Sequence, residues 1–211
     1  MVARTQCAEI EELDRIAFDK VNIMNFSDAV IAIAITLLVL ELRLPDLAAE
    51  GIDAMFLTAL GQEMPRIVAY VVGFAVIASY WFEYQRHMKY VQKLDGRLAL
   101  YNIVFLFFIA LLPFPTSILG MYPAHTSVVV FYAISIICIS TASYLMRMHA
   151  LKGGLMIPGA DERKMKRLVN QPLLNSAILV LTIPLAFVSP IAAMIAWVIA
   201  PVFSRALLKG K

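Results

Sequence analysis

The stretch NFSDAVIAIAITLLVLEL, Asn25 to Leu42, decides the fold. It is an apolar run of helix length with one carboxylate, Asp28, near its front end. Crossing a bilayer takes about 20 consecutive, mostly apolar residues. An acid within such a run is costly, so it carries a functional or structural reason and faces protein or water.

Composition gives the setting for this run. The chain is 61% hydrophobic and 16% charged, with a mean hydropathy of +0.79. Soluble domains average about 45–50% apolar and about 25% charged. The balance points to a membrane bundle, read as a single domain over residues 1–211. The start of the chain carries Glu9, Glu11, Glu12, Asp14 and Asp19 and no early apolar stretch, unlike a signal peptide. Ile10, Leu13, Ile16, Ala17 and Val21 fall at helical spacing. Residues 1–22 therefore read as a cytoplasmic amphipathic helix leading into the first span.

Six runs have span length: about 24–44, 65–83, 98–118, 126–146, 172–188 and 190–207. Pro113 and Pro115 predict a kink near the end of the third. Ser189-Pro190 makes the last two a tight helical hairpin. KGGLMIPG, residues 152–159, reads as a loop breaker. With both termini placed in the cytoplasm, all but Arg43 and Arg66 of the 18 lysines and arginines fall on the inner side. This positive-inside pattern fixes the expected orientation. It also accounts for the basic loops without a nucleic-acid partner. Asp46, Glu50, Asp53 and Glu63 fall on the outer side, where they either gather cations at a mouth or simply solvate a loop.

Chemistry-bearing constellations are few. Cys7 and Cys138 are expected on different sides of the boundary and unpaired. His87, His125 and His149 are dispersed, so no metal site and no cofactor is expected. No Ser/His set, paired acid or ligand cluster lies at matched depth, which argues against an enzyme.

On a helical wheel, Phe26, Ala29, Ile33, Leu37 and Leu40 form one narrow stripe, with Thr36 on its edge. Asp28 points roughly opposite. If the stripe lines a pore, Asp28 must turn into the protein and find donors there. Trp81, Tyr80 and Asn102 are candidates in other spans, and Asn22 and Lys20 on its own helix. Two plainer readings stand beside these. Ser27 and Asp28 could cap a helix start, and the stripe could be ordinary packing.

The runs FSDAVIAIAITLLVLEL (26–42) and YNIVFLFFIALLPFPTSILG (101–120) resemble the bacterial branch of the transmembrane protein 175 family of potassium channels. The resemblance covers the six-span layout, about 20–207. It implies an all-α membrane protein with six transmembrane helices per chain. It further implies a homotetramer whose first helix lines a central pore. The family motif R-x-x-x-F-S-D is met by Phe26, Ser27 and Asp28, but Asn22 stands in the arginine position. The residues after Trp81 also depart from the family's histidines.

By position, the resemblance makes Ile33, Leu37 and Leu40 the apolar constriction and selectivity rings, and Thr36 a hydroxyl layer. Phe26, Ser27 and Asp28 become the structural motif, supported by Asn22, Trp81 and Asn102. The implied function is a leak-type, potassium-preferring channel in the plasma membrane, passing K⁺ and other monovalent cations without a TVGYG filter. The alternative is a proton- or sodium-coupled transporter with Asp28 as relay. No internal repeat or pair of broken helices favours it.

Overall fold

A computed structural model describes residues 2–43, 52–159 and 161–189 of the chain. Helix α1, Val2–Leu37, tightens at its end into a 3₁₀ turn, Leu38–Glu41. There follow α2 (Ile52–Gln62), α3 (Met64–Met88), α4 (Gly96–Leu111), α5 (Pro113–Met121), α6 (Thr126–Lys152) and α7 (Glu162–Val188). At 1.5 Å per residue α1 is about 54 Å long, well beyond a hydrocarbon core of about 30 Å. Its apolar half is the part that can span.

Among the described residues, four helical stretches are long and apolar enough to cross a membrane. They are Lys20–Glu41, Met64–Met88, Gly96–Met121 and Thr126–Lys152. They overlap the first four expected spans. The third is two helices rather than one. Pro113 has no amide to offer Ile109, and the Leu112 amide instead takes the Ile109 carbonyl in a tighter turn at 3.2 Å. The expected fifth span, 172–188, is the second half of α7, whose first turns are charged. It is not one of the four. The expected sixth span lies outside the described residues, as does the expected hairpin beyond Ser189. Where the sequence suggested only an outer loop, α2 forms. Ile52, Met55, Phe56 and Ala59 give it helical spacing, but it is too short to cross.

α6 packs on α4, α5 and α7, while α1 packs on α3 and α4 and α3 on α5. Ala133, Ser140, Ala142, Ser143 and Ala150 are buried on α6 and let neighbouring backbones approach. α3 and α5 cross closely where Gly73 faces Thr116. A Cβ on Gly73 would lie 2.8 Å from Thr116 Cγ2, so no larger residue fits without movement.

At the Lys20 end of the bundle, two loops close on each other. α6 ends in a Schellman motif: the Leu155 amide reaches the Ala150 carbonyl, and Gly154 adopts φ +64°. The chain then pairs with the α3–α4 loop through an antiparallel bridge between Val91 and Met156. Lys20 Nζ donates to the Val91 carbonyl at 2.7 Å, tying α1 to that pair of loops.

Candidate functional site

The spanning half of α1 has two faces. Ser27, Ile31, Ala34 and Leu38 recur at helical spacing and are buried against the rest of the chain. The opposite face is exposed among the described residues. Ile33 is 58% exposed, Leu37 42% and Leu40 59%, and Phe26 is also exposed. Thr36 shares this face, and its hydroxyl donates back to the Ile33 carbonyl at 2.9 Å. The hydroxyl proton is thereby used, and the oxygen keeps its capacity to accept.

The buried face is held by a polar network. Ser27 Oγ donates to the Ile23 carbonyl at 2.7 Å. It accepts from Tyr84 Oη and from Asn102 Nδ2, each at 2.9 Å. One hydroxyl thus joins α1, α3 and α4. Beside it, Asp28 Oδ1 accepts from Trp81 Nε1 at 2.8 Å and from Gln85 Nε2 at 2.6 Å. Trp81 and Gln85 are one turn apart on α3 and present their donors together. α1 runs unbroken through this region, so neither Ser27 nor Asp28 stands at a helix start.

The sequence-predicted residues thus separate into two groups. Ser27, Asp28, Trp81 and Asn102 come together, with Asn102 serving Ser27 rather than Asp28. Tyr80 turns away to α6, where its hydroxyl meets Ser140. Asn22 is exposed and joins no side-chain hydrogen bond among the described residues. Lys20 is engaged by the loop carbonyl. Gln85 and Tyr84 join Asp28 and Ser27, though the sequence alone does not single them out. The signal was present: with Trp81 they form an i, i+3, i+4 set on α3.

A second buried cluster lies on the far side of α3. Glu83 accepts from Arg147 Nη2 at 3.3 Å and from Gln171 Nε2 at 3.0 Å. Arg147 Nη1 also donates to the Leu168 carbonyl of α7 at 2.8 Å. In a regular helix that carbonyl would receive the amide of residue 172, but residue 172 is proline. The guanidinium supplies the missing donor. Arg147, placed among the basic loop residues by charge alone, is a buried clamp at 1% exposure. His87, one turn beyond Glu83, is fully buried, and neither ring nitrogen has a hydrogen-bond partner among the described residues.

At the surface nearby, Asp95 caps α4 by accepting the Leu98 amide at 2.7 Å. His149 Nε2 donates to Asp95 Oδ2 at 2.8 Å, and the Tyr101 ring packs against the imidazole at a tilt of 53°. Burial pushes the Asp95 carboxyl up. The Leu98 amide, His149 and Arg97 together outweigh it and hold the group below its ordinary value. No group of three or more metal-ligating side chains is present among the described residues.

Together these features define a multi-pass α-helical membrane protein. One span of it is anchored by a polar network on one face and, among the described residues, exposed on the other. The family model described as the endosomal/lysosomal potassium channel TMEM175 matches residues 22–113. A potassium channel of Streptomyces collinus is 34% identical over 170 residues, covering 78% of this chain and 81% of that protein. The chain belongs to the TMEM175 family. A potassium channel of a Chryseobacterium species is 31% identical over 112 residues, 53% of this chain and 55% of the relative. The rat endosomal/lysosomal proton channel TMEM175 is 32% identical over 99 residues, 44% of this chain and 20% of that protein. In fold, the chain matches the crystal structure of a lysosomal potassium-selective channel TMEM175 homolog from Chamaesiphon minutus. The TM-score is 0.76 at 23% identity, covering 89% of this chain and 97% of that one. The potassium channel MtTMEM175 gives a TM-score of 0.61 at 21% identity, covering 89% and 93%.

Proposed function

We propose that this chain forms a leak-type, potassium-preferring cation channel whose pathway is lined by α1 from four copies. The observation that carries the reading is the two-faced character of α1. Its Ser27–Ala34–Leu38 face is buried against its own chain, while Ile33, Thr36, Leu37 and Leu40 are exposed among the described residues. One helix cannot enclose a path, so several copies must contribute it. Each helix with its side chains is about 10–12 Å across, and four around an axis leave a narrow lumen.

In this arrangement Ile33, Leu37 and Leu40 form stacked alkyl rings that resist wetting and set the barrier. Thr36 places hydroxyl oxygens between them. Because each Thr36 proton is committed to its own helix, the oxygens can replace part of a cation's hydration shell. K⁺ gives up hydration more cheaply than Na⁺, and the resulting preference is modest. Asp28 stays out of the pathway and, with Ser27, fixes the rotation of α1. Six spans, cytoplasmic termini and a plasma-membrane location complete the reading, and other monovalent cations pass less readily than K⁺. The chain needs no cofactor and does no enzymatic chemistry.

The test is cation flux from liposomes holding the purified protein. Ile33→Asn and Leu37→Ala should both raise flux and blur the K⁺/Na⁺ preference by wetting the constriction. Unchanged flux in both would remove α1 from the pathway.

A further inference from the structure

The buried cluster of Glu83, Arg147 and Gln171 lies outside the pathway, yet it shares α3 with the donors that hold α1. At about 100° per residue, Glu83 points some 200° from both Trp81 and Gln85. One side of this segment of α3 therefore grips α1 through Asp28 and Ser27. The other side is gripped by α6 and α7 through Arg147 and Gln171. Arg147 reaches further, to the Leu168 carbonyl that Pro172 leaves without an amide. A three-helix joint thus fixes both the rotation and the height of α3.

An ion pair this deeply buried is a poor source of stability. Its desolvation cost rivals its attraction, and apolar replacements of similar volume are often no less stable. What such a pair supplies, in the systems where a role is attested, is one fixed geometry in place of several. We propose that Glu83, Arg147 and Gln171 are positioning residues for the ion pathway. They hold α3 so that Trp81, Tyr84 and Gln85 meet Ser27 and Asp28, and so that the Ile33–Leu40 face of α1 is aimed. The inference rests on the reading of α1 as the lining helix, and its test has a readout independent of that reading.

The experiment uses the full chain, reconstituted, with Trp197→Phe as background. Trp81 is then the only tryptophan, and its emission reports the indole that donates to Asp28. The test variant combines Glu83→Met and Arg147→Met, which keep the volume, with Pro172→Ala, which returns an amide to the Leu168 carbonyl. The expected result is a normally assembled protein with a displaced Trp81 emission maximum. Its reversal potential under opposed K⁺ and Na⁺ should move towards that of an unselective pore. Unchanged emission and reversal potential in an assembled protein would overturn the proposal, leaving the cluster a packing feature. A changed reversal potential with unchanged Trp81 emission would overturn it too, since the effect would not pass through the Asp28 grip. If the triple variant fails to assemble, Glu83→Gln decides by the same two readouts. Ile33→Asn serves as the control: it should alter flux and leave Trp81 emission alone. A failed Ile33→Asn flux result with a displaced Trp81 emission in the test variant would fault the pathway reading and spare the joint.

Discussion

Ser27→Ala tests the node on which the orientation of α1 depends. The Ser27 oxygen is the acceptor for two buried donors, Tyr84 Oη and Asn102 Nδ2. Alanine removes the acceptor and leaves both donors in place. The Ile23 carbonyl loses little, because the residue 27 amide still serves it within the helix. Asn102 is the sensitive partner, since its Oδ1 already has no hydrogen-bond partner among the described residues. In a soluble core, two orphaned donors would cost about 2–6 kcal/mol. Inside membranes the measured worth of such bonds averages about 0.6 kcal/mol, with a maximum near 1.7, because the unfolded chain also finds partners. The membrane figures govern here, so the expected loss is about 1–3 kcal/mol. Unfolding of the protein in mixed micelles by rising dodecyl sulfate, followed by helical circular dichroism, measures it. Asn102→Leu on the Ser27→Ala background should cost less than the sum of the two single changes, because both ends of one bond are then gone. A Ser27→Ala loss below about 0.3 kcal/mol, or strict additivity with Asn102→Leu, would refute the node.

Two further predictions rest on other contacts. Gly73→Ala forces a methyl to within 2.8 Å of Thr116 Cγ2 and should destabilise the α3–α5 crossing by about 1–3 kcal/mol. Adding Thr116→Ser, which deletes that methyl, should recover part of the loss in the same unfolding assay. Asp95 is held below its ordinary value of 3.8, so its contribution to stability is present above that pH and fades as pH falls through the lower folded value. Asp95→Asn, which can still cap the helix and accept from His149, should therefore flatten the acid limb of the stability–pH profile below about pH 4, and an unchanged acid limb would discount the carboxylate's contribution.

How much of this the sequence carries differs from element to element. The two faces of α1 are legible because a stiff helix of 3.6 residues per turn converts spacing directly into direction. Trp81 stands out as a donor for Asp28 because few polar groups occur within apolar spans. Its partner Gln85 lies where charged residues begin and is masked by them. Arg147 is misleading for the same reason. Charge alone places it with the loops, and only the missing amide of Pro172 on a distant helix explains its burial. The pairing of Glu83 with Arg147 and Gln171 depends on how α3, α6 and α7 meet, which no local pattern specifies. The break between α4 and α5 was announced by Pro113, whereas α2 was hidden because an acidic, membrane-edge segment reads as loop by composition.

The most direct test of the central claim is flux from liposomes holding the purified protein, first with an outward K⁺ gradient and then with an outward Na⁺ gradient. A proton ionophore is present in both. The account predicts faster flux for K⁺, running freely down its gradient with no imposed pH difference. Flux that appears only when a pH gradient is imposed would contradict it and make Asp28 the moving part of a coupled transporter.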